Sequence, residues 1–394
     1  MKLLGSLASV LVCSMSCAQA NEWSGNVALE VRAFADEGAP QQQRAYYSLA
    51  AQPEYFHKWD DGKQSFTFVP FARVERDDTG RTHLDVRELT RLHATPTHEW
   101  RVGVRKVFWG VTEAQHLVDI INQTDALENP DGEDKLGQAM LNLALIRTWG
   151  TVDLFVLPGF RERDYPGVAG RPRLPLPVDT SQTSFDSSRE QQHIDAAARW
   201  RKTLGDWDLG LSYFSGTSRE PRLGLGLDNN SAPVLVPHYD LITQTGLDVQ
   251  ATLGAWLWKL ETIRRTGQAA SYNAATGGVE YAFSNVAESG LDVGVIGEYL
   301  YDTRGSAALT PFQNDVMLGC RFAFNDEPGT ELLLGAIFDT DRTTRLYSLE
   351  GSRRIGAQWK INVKARVYAA VATDELFYSQ RDDDYLQFEL ARYF

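Results

Sequence analysis

The chain has 394 residues, 43% apolar and 23% charged, with a net charge of −13. That balance is too even for a disordered chain, and three cysteines are too few for a disulfide scaffold. The acidic excess also argues against nucleic acid as a partner, because such binding is driven by basic surfaces.

In chain order, residues 1–20 read as a secretory signal peptide. Lys2 supplies the positive start, Leu3 to Cys13 is mostly apolar, and Ala18-Gln19-Ala20 has the small-x-small form of a cleavage site. An apolar run this short does not span a bilayer. Removal of the leader leaves residues 21–394 as one unit with Cys320 as its sole cysteine, so no intrachain disulfide is expected.

From Asn21 onward apolar and polar residues alternate. Near the end of the chain Trp359, Ile361, Val363, Ala365 and Val367 alternate with Lys360, Asn362, Lys364 and Arg366, and the same period of two recurs throughout. It predicts about 18 strands, with 16 as the alternative, starting at 22–35, 45–58, 64–77, 81–94 and 99–109 and ending at 357–372 and 384–394. Every second connection is short, as at 60–63, 95–97, 148–150, 204–205 and 354–356. The other set holds the long ones: 110–138, 161–192, 218–237, 304–312 and 373–383. Short turns on one side and long loops on the other are the asymmetry of a transmembrane barrel with periplasmic turns and extracellular loops. Of the ten tryptophans, all but Trp109 lie within a few residues of a predicted short turn or of Asn21, which reads as an aromatic belt at one membrane interface. The expected fold is therefore all-β: a transmembrane antiparallel up-and-down β-barrel over residues 21–394, with long extracellular loops at 110–138, 161–192 and 218–237.

Hydrocarbon cannot satisfy charges, so the charged set of each strand is assigned to the interior. The alternation collects Arg73, Arg87, Arg91, Arg101 and Arg105 into a basic wall, continued across the closing seam by Lys360, Lys364 and Arg366. Asp240, Asp248, Asp292 and Glu298 form an acidic wall about half a barrel away. Glu88 falls on the outward set and marks a bulge or a shift of register. Two readings of the opposed walls stay open: a transverse field that orients a solute, or mutual neutralisation by cross-strand ion pairs.

The segment 110–138 is the candidate constriction loop. It carries Asp119, Asp125, Glu128, Asp131, Glu133 and Asp134 against Lys135, hangs from the strand bearing Arg101 and Arg105, and has a stretch, 114–121, read as a short helix. Folded inward, its carboxylates would meet the basic wall and narrow the bore; the alternative is a solvated outer loop. The proline-rich 161–192 reads as an external lid.

Catalytic motifs fail. There is no G-x-S-x-G, no P-loop, and His98-Glu99 lacks the second histidine of a zinc-hydrolase helix. No enzyme activity, cofactor or metal is expected; His83 and His93 read as lumen residues and Cys320 as an inert thiol on the lipid face. Two alternatives to a channel are kept. One is a barrel enzyme acting on lipid, for which the strand reading offers no hydroxyl–imidazole–carboxylate trio on the outer face. The other is a non-conducting structural or adhesion barrel.

The last residues, Tyr385-Leu386-Gln387-Phe388-Glu389-Leu390-Ala391-Arg392-Tyr393-Phe394, resemble the closing strand, with its assembly signal, of Gram-negative outer-membrane proteins. The stretches Arg105-Lys106-Val107-Phe108-Trp109-Gly110 and Asp119-Ile120-Ile121-Asn122-Gln123-Thr124-Asp125 resemble porin-like barrels of proteobacteria without an assigned substrate. The resemblance implies a location in the outer membrane of a Gram-negative bacterium, with outer-membrane lipid and the barrel-assembly machinery as partners. The charged, water-filled interior read above makes the expected function a porin-like channel for passive or substrate-preferring passage of small polar or anionic solutes.

Overall fold

The computed structural model describes residues 21–129 and 131–394, so the leader expected over residues 1–20 lies outside it. The first half of the chain forms β1 (Asn21–Phe34), β2 (Ala45–Trp59), β3 (Gln64–Glu75), β4 (His83–Ala94), β5 (His98–Arg105), β6 (Gln138–Arg147), β7 (Gly150–Pro158), β8 (Ser184–Phe185), β9 (Ile194–Leu204) and β10 (Trp207–Thr217). The second half forms β11 (Arg222–Leu227), β12 (Pro233–Tyr239), β13 (Leu241–Leu253), β14 (Trp256–Thr266), β15 (Tyr272–Val286), β16 (Leu291–Asp302), β17 (Asn314–Ala323), β18 (Glu331–Asp339), β19 (Arg345–Ile355), β20 (Trp359–Ala369) and β21 (Tyr385–Tyr393).

All of these except β8, β11 and β12 join one 18-stranded antiparallel sheet. It closes on itself because β1 pairs with both β2 and β21, so no edge is left open. The strands coincide with those the alternation predicts, and the short and long connections fall on opposite ends. The loop 218–237 is itself structured: β11 and β12 form a hairpin, and β8 from the preceding long loop adds to it in parallel, making a separate three-stranded sheet.

Directly opposed residues share a face, which lets the inward set be followed around the barrel. Glu30 opposes Ser48 and Glu389, Arg199 opposes Asp153, Asp248 opposes Glu261, and Glu350 opposes Lys364. The outward set is apolar and exposed: Leu29, Leu49, Val74, Leu84, Leu211, Val295, Leu318 and Leu386 all stand on it. Trp23, Trp100, Trp149, Trp207, Trp256, Trp258 and Trp359 are exposed at the end of the barrel that carries the short turns, with Trp59 and Trp200 half-buried beside them. An amphipathic ring is favoured at a headgroup boundary, and this girdle marks one. Trp109 alone is buried, inside the barrel.

Two expectations need correction. The pairing of β3 with β4 slips between Val69 and Pro70, so that Val69 faces Glu88 while Pro70 faces Val86. Arg87 is the extra, bulged residue, and beyond it every side chain changes face. Glu88 therefore points into the lumen, and Arg91 and His93 point outward opposite Phe66 and Gln64. Arg91 leaves the basic wall: it donates to Gln64 at 2.8 Å and lies over the Trp59 ring at the interface. Second, 114–121 is not a helix but a series of bends and turns, with the Val118 amide drawn to a carboxylate of the wall, as described next.

Candidate functional site

The segment 106–137 turns inward from the top of β5 and crosses the barrel. Its far end is built of carboxylates that meet arginines. Glu128 accepts from Arg73 Nε at 2.8 Å and Nη2 at 2.6 Å, and its own carbonyl accepts from Arg32 at 3.2 Å. Arg81, from the β3–β4 connection, donates to the Leu127 carbonyl at 2.8 Å and pairs with Glu30 at 2.7 Å and Glu75 at 3.1 Å. Asp125 pairs with Arg87, which also reaches Asp85 at 3.1 Å. Asp131 meets Arg366 at 3.0 Å and Lys364 at 3.8 Å. Burial alone would raise the Glu128 carboxyl, but Arg73, Arg81 and Arg87 hold it below the usual carboxylate range.

The near end reverses the polarity: here the wall supplies the carboxylates and the segment supplies N–H groups. Glu261 accepts from the backbone of Val111 at 2.6 Å, Thr112 at 3.0 Å and Val118 at 3.1 Å, and from the Thr112 hydroxyl at 2.8 Å. Glu298 accepts from the amides of Glu113 at 2.8 Å and Ala114 at 2.9 Å. Of these amides only that of Val118 would belong to a helical ladder over 114–121, and Glu261 takes it, while Asp119 donates to the His116 carbonyl in a tight turn. The Glu113 carboxylate reaches on to Arg321 at 2.7 Å and Lys259 at 3.5 Å.

His116 stands between Glu133 at 3.1 Å and Glu261 at 3.6 Å. Burial lowers its pKa, but the hydrogen bonds and charges of the two carboxylates outweigh this and push it up to about 10, so the ring is a cation. Its place depends on Gly110, where a Cβ would lie 2.4 Å from the imidazole Nδ1. Asp119 accepts from the amides of Trp109 and Gly110, and burial pushes its carboxyl up. Asp134 is bonded by Asn129.

Between these polar ends sits an apolar core inside the barrel. Val118, Ile120 and Ile121 are buried against Trp109, Met140, Phe155, Leu157, Phe214, Ile242 and Ile263. Burial of each aliphatic chain contributes about 1.5–3 kcal/mol, so the segment is packed into the lumen as well as charge-paired to it. Gly246 permits the contact, since a Cβ there would meet Val118 Cγ1 at 3.1 Å.

The remaining predicted residues are dispersed. Asp248 pairs with Arg199 at 2.6 Å and Asp240 with Arg222 at 2.5 Å, while Asp292 caps a turn by accepting from Asn285 and Asn325. Arg101 pairs with Glu99 and Arg105 donates to Asn142 at 3.1 Å, so neither meets the carboxylates of the inward segment. Lys360 opposes Arg354 and Ala391 near the short-turn end. His83 lies 3.7 Å from Glu128. Sequence reasoning missed Glu113, His116 and Arg81 as anchors; nothing in the alternation marks a loop residue as a partner for a distant wall.

Above the crossing segment the other long loops close in. Arg219 pairs with Asp195 at 2.6 Å and donates to the Ile121 carbonyl, Arg161 reaches Asp85 at 2.9 Å, and Arg171 pairs with Asp383. Asp195, Glu261, Glu30 and Glu298 are consequently buried, while Arg105 at the root of the segment, and Arg101 and Lys360 nearer the short turns, keep partial exposure.

Fold and site together define a transmembrane β-barrel with a loop folded into its lumen. No protein-family model matches the chain, and no curated protein matches it. Among solved structures it is similar to a BenF-like porin from Pseudomonas fluorescens Pf-5, at 10% identity and TM-score 0.56 over 95% of this chain and 97% of that one. It is also similar to OccK8 (OprE) of Pseudomonas aeruginosa, at 10% identity and TM-score 0.53 over 95% and 97% of the two chains. A third match is Wzi of Escherichia coli, an outer-membrane protein involved in group 1 capsule assembly and described as a carbohydrate-binding β-barrel. It has 9% identity and TM-score 0.53 over 93% of this chain and 84% of that one. At such identities the likeness is one of fold.

Proposed function

We propose that this protein is a porin-like channel of a Gram-negative outer membrane, passing small polar or anionic solutes through a bore narrowed by the 106–137 segment, and that it performs no chemistry. The observation that carries this reading is the segment's double anchoring. Its carboxylates sit on Arg73, Arg87 and Arg366 and its amides on Glu261 and Glu298. Opposed charges in the lumen are thereby satisfied by a built-in part of the chain, which leaves basic groups such as Lys360 and Arg354 toward the short-turn end, and Arg105 beside the segment, to meet a solute. Porins of the same fold support the reading.

A second reading, a non-conducting barrel with a binding role, is favoured by how deeply the wall is buried on the loop side, where Asp195 and Glu261 have no exposed surface. Planar-bilayer recording separates the two. The channel reading expects discrete conductance steps from the purified protein and a several-fold larger step after deletion of residues 113–134. It also expects weaker anion preference in K360A and R105A. Silence from the intact protein with large steps from the deletion would favour the plugged barrel; unchanged conductance after the deletion would refute the constriction.

A further inference from the structure

Outside the lumen, the β7–β9 and β10–β13 loops meet where β8 pairs with β12. Asp186 follows β8 in the first loop; His238 lies in β12 and Asp240 just after it in the second. His238 Nε2 is 3.2 Å from a carboxylate oxygen of Asp186 and 3.5 Å from one of Asp240. One ligand atom from each of the three lies within 4.8 Å of the others. Two atoms bound to one tetrahedral ion at about 2.1 Å stand about 3.4 Å apart, so the imidazole already has the spacing of a shared-metal ligand from each carboxylate.

Two of the members are also held from behind: His238 Nδ1 and the Ser184 hydroxyl are 2.9 Å apart, and Leu241 donates its amide to Asp186 Oδ2 at 3.1 Å. Outer partners of this kind fix ring orientation and tautomer at metal sites. With Nε2 on an ion, Nδ1–H donates to Ser184 Oγ.

We propose that Asp186, His238 and Asp240 bind a divalent cation of the zinc class and so staple the two mouth loops together. An imidazole beside two carboxylates suits zinc better than calcium or magnesium, which take oxygen alone. Arg222 is the competitor for Asp240. Its side chain is 46% exposed while Asp240 is buried, so Arg222 can swing into solvent when an ion takes the Asp240 carboxylate. This site is separate from the bore, and its test does not depend on conduction.

Zinc is titrated calorimetrically into the full chain in detergent micelles, and amide exchange is followed over 180–186 and 233–241. The proposal expects one site in the wild type, at least about tenfold weaker binding in H238Q and D186N, and tighter binding in R222A. It also expects zinc to slow exchange in both segments at once. H83A, which alters the other histidine–carboxylate cluster around Asp125 and Glu128, leaves the titration unchanged. Equal zinc affinity in wild type and H238Q, or no slowing in either segment, overturns the proposal.

Discussion

His116 sets the behaviour of the inward segment with pH. Its folded pKa of about 10 lies above the ordinary 6.5, raised against burial by Glu133 and Glu261. A group whose pKa is raised on folding stabilises fully below its ordinary value and loses that contribution as the pH climbs through the folded one. Glu128 works in the opposite sense: its pKa is lowered, so its contribution is present above about 4.5 and fades on acidification. Between these limits both anchors act together. Urea unfolding in micelles is therefore expected to show the wild type losing on the order of 2 kcal/mol between pH 7 and pH 10, with H116Q nearly flat over that range. A wild type as flat as H116Q would show that the imidazolium does not hold the segment. At this scale the sequence was legible where a strand keeps one phase, since Arg73, Lys364, Arg366 and Glu298 meet the inward segment from the expected inner face. It was not legible for His116 or Glu113, whose wall partners Glu261 and Arg321 lie more than a hundred residues away and follow from the path of a loop rather than from any local pattern.

The bulge at Arg87 shows what one extra residue does to an element. Period-two patterning is read with a single phase, and a strand that changes phase midway looks regular on both sides of the break. Glu88 was the legible sign, a charge on a face otherwise apolar. Its consequence for Arg91 and His93 was not, because the outward position of those two depends on which residue of β3 each opposes. Accessibility to thiol reagents checks the assignment in a C320S background, which removes the outward cysteine. E88C is expected to react with a hydrophilic reagent from the lumen, and R91C to be protected from it and reached through the lipid phase. If R91C reacts like E88C, β4 runs in one phase and the arginine returns to the wall. The inward segment misleads for a related reason. The residues 114–121 suit a short helix by composition, yet isolated turns of helix are marginal, and Glu261 offers the Val118 amide a stronger acceptor than the carbonyl of its own turn.

For the whole molecule, strand number, closure and the side of the long loops were readable because a barrel in a bilayer must repeat one rule on every strand: oil outside, charge within, turns at one interface and loops at the other. The path of 106–137 was open in the sequence because its fate depends on the summed surface of many strands. Tryptophan tests the global arrangement directly, since nine of the ten occupy the girdle and one, Trp109, is enclosed by Phe155, Arg199 and the inward segment. In liposomes of brominated phospholipid, most of the emission is expected to be quenched, and bromines close to the headgroups should quench more than bromines near the bilayer centre. A minor component should resist both, and W109F should remove it while leaving the quenched fraction intact. Strong quenching by central bromines would move the girdle off the interface, and a quenching-resistant component that survives W109F would mean that some other tryptophan is shielded from lipid. Either result would force a different placement of the barrel relative to the membrane, because no rotation of these strands brings Trp23, Trp207 and Trp359 to the hydrocarbon centre while keeping Leu29, Leu211 and Leu386 in contact with it.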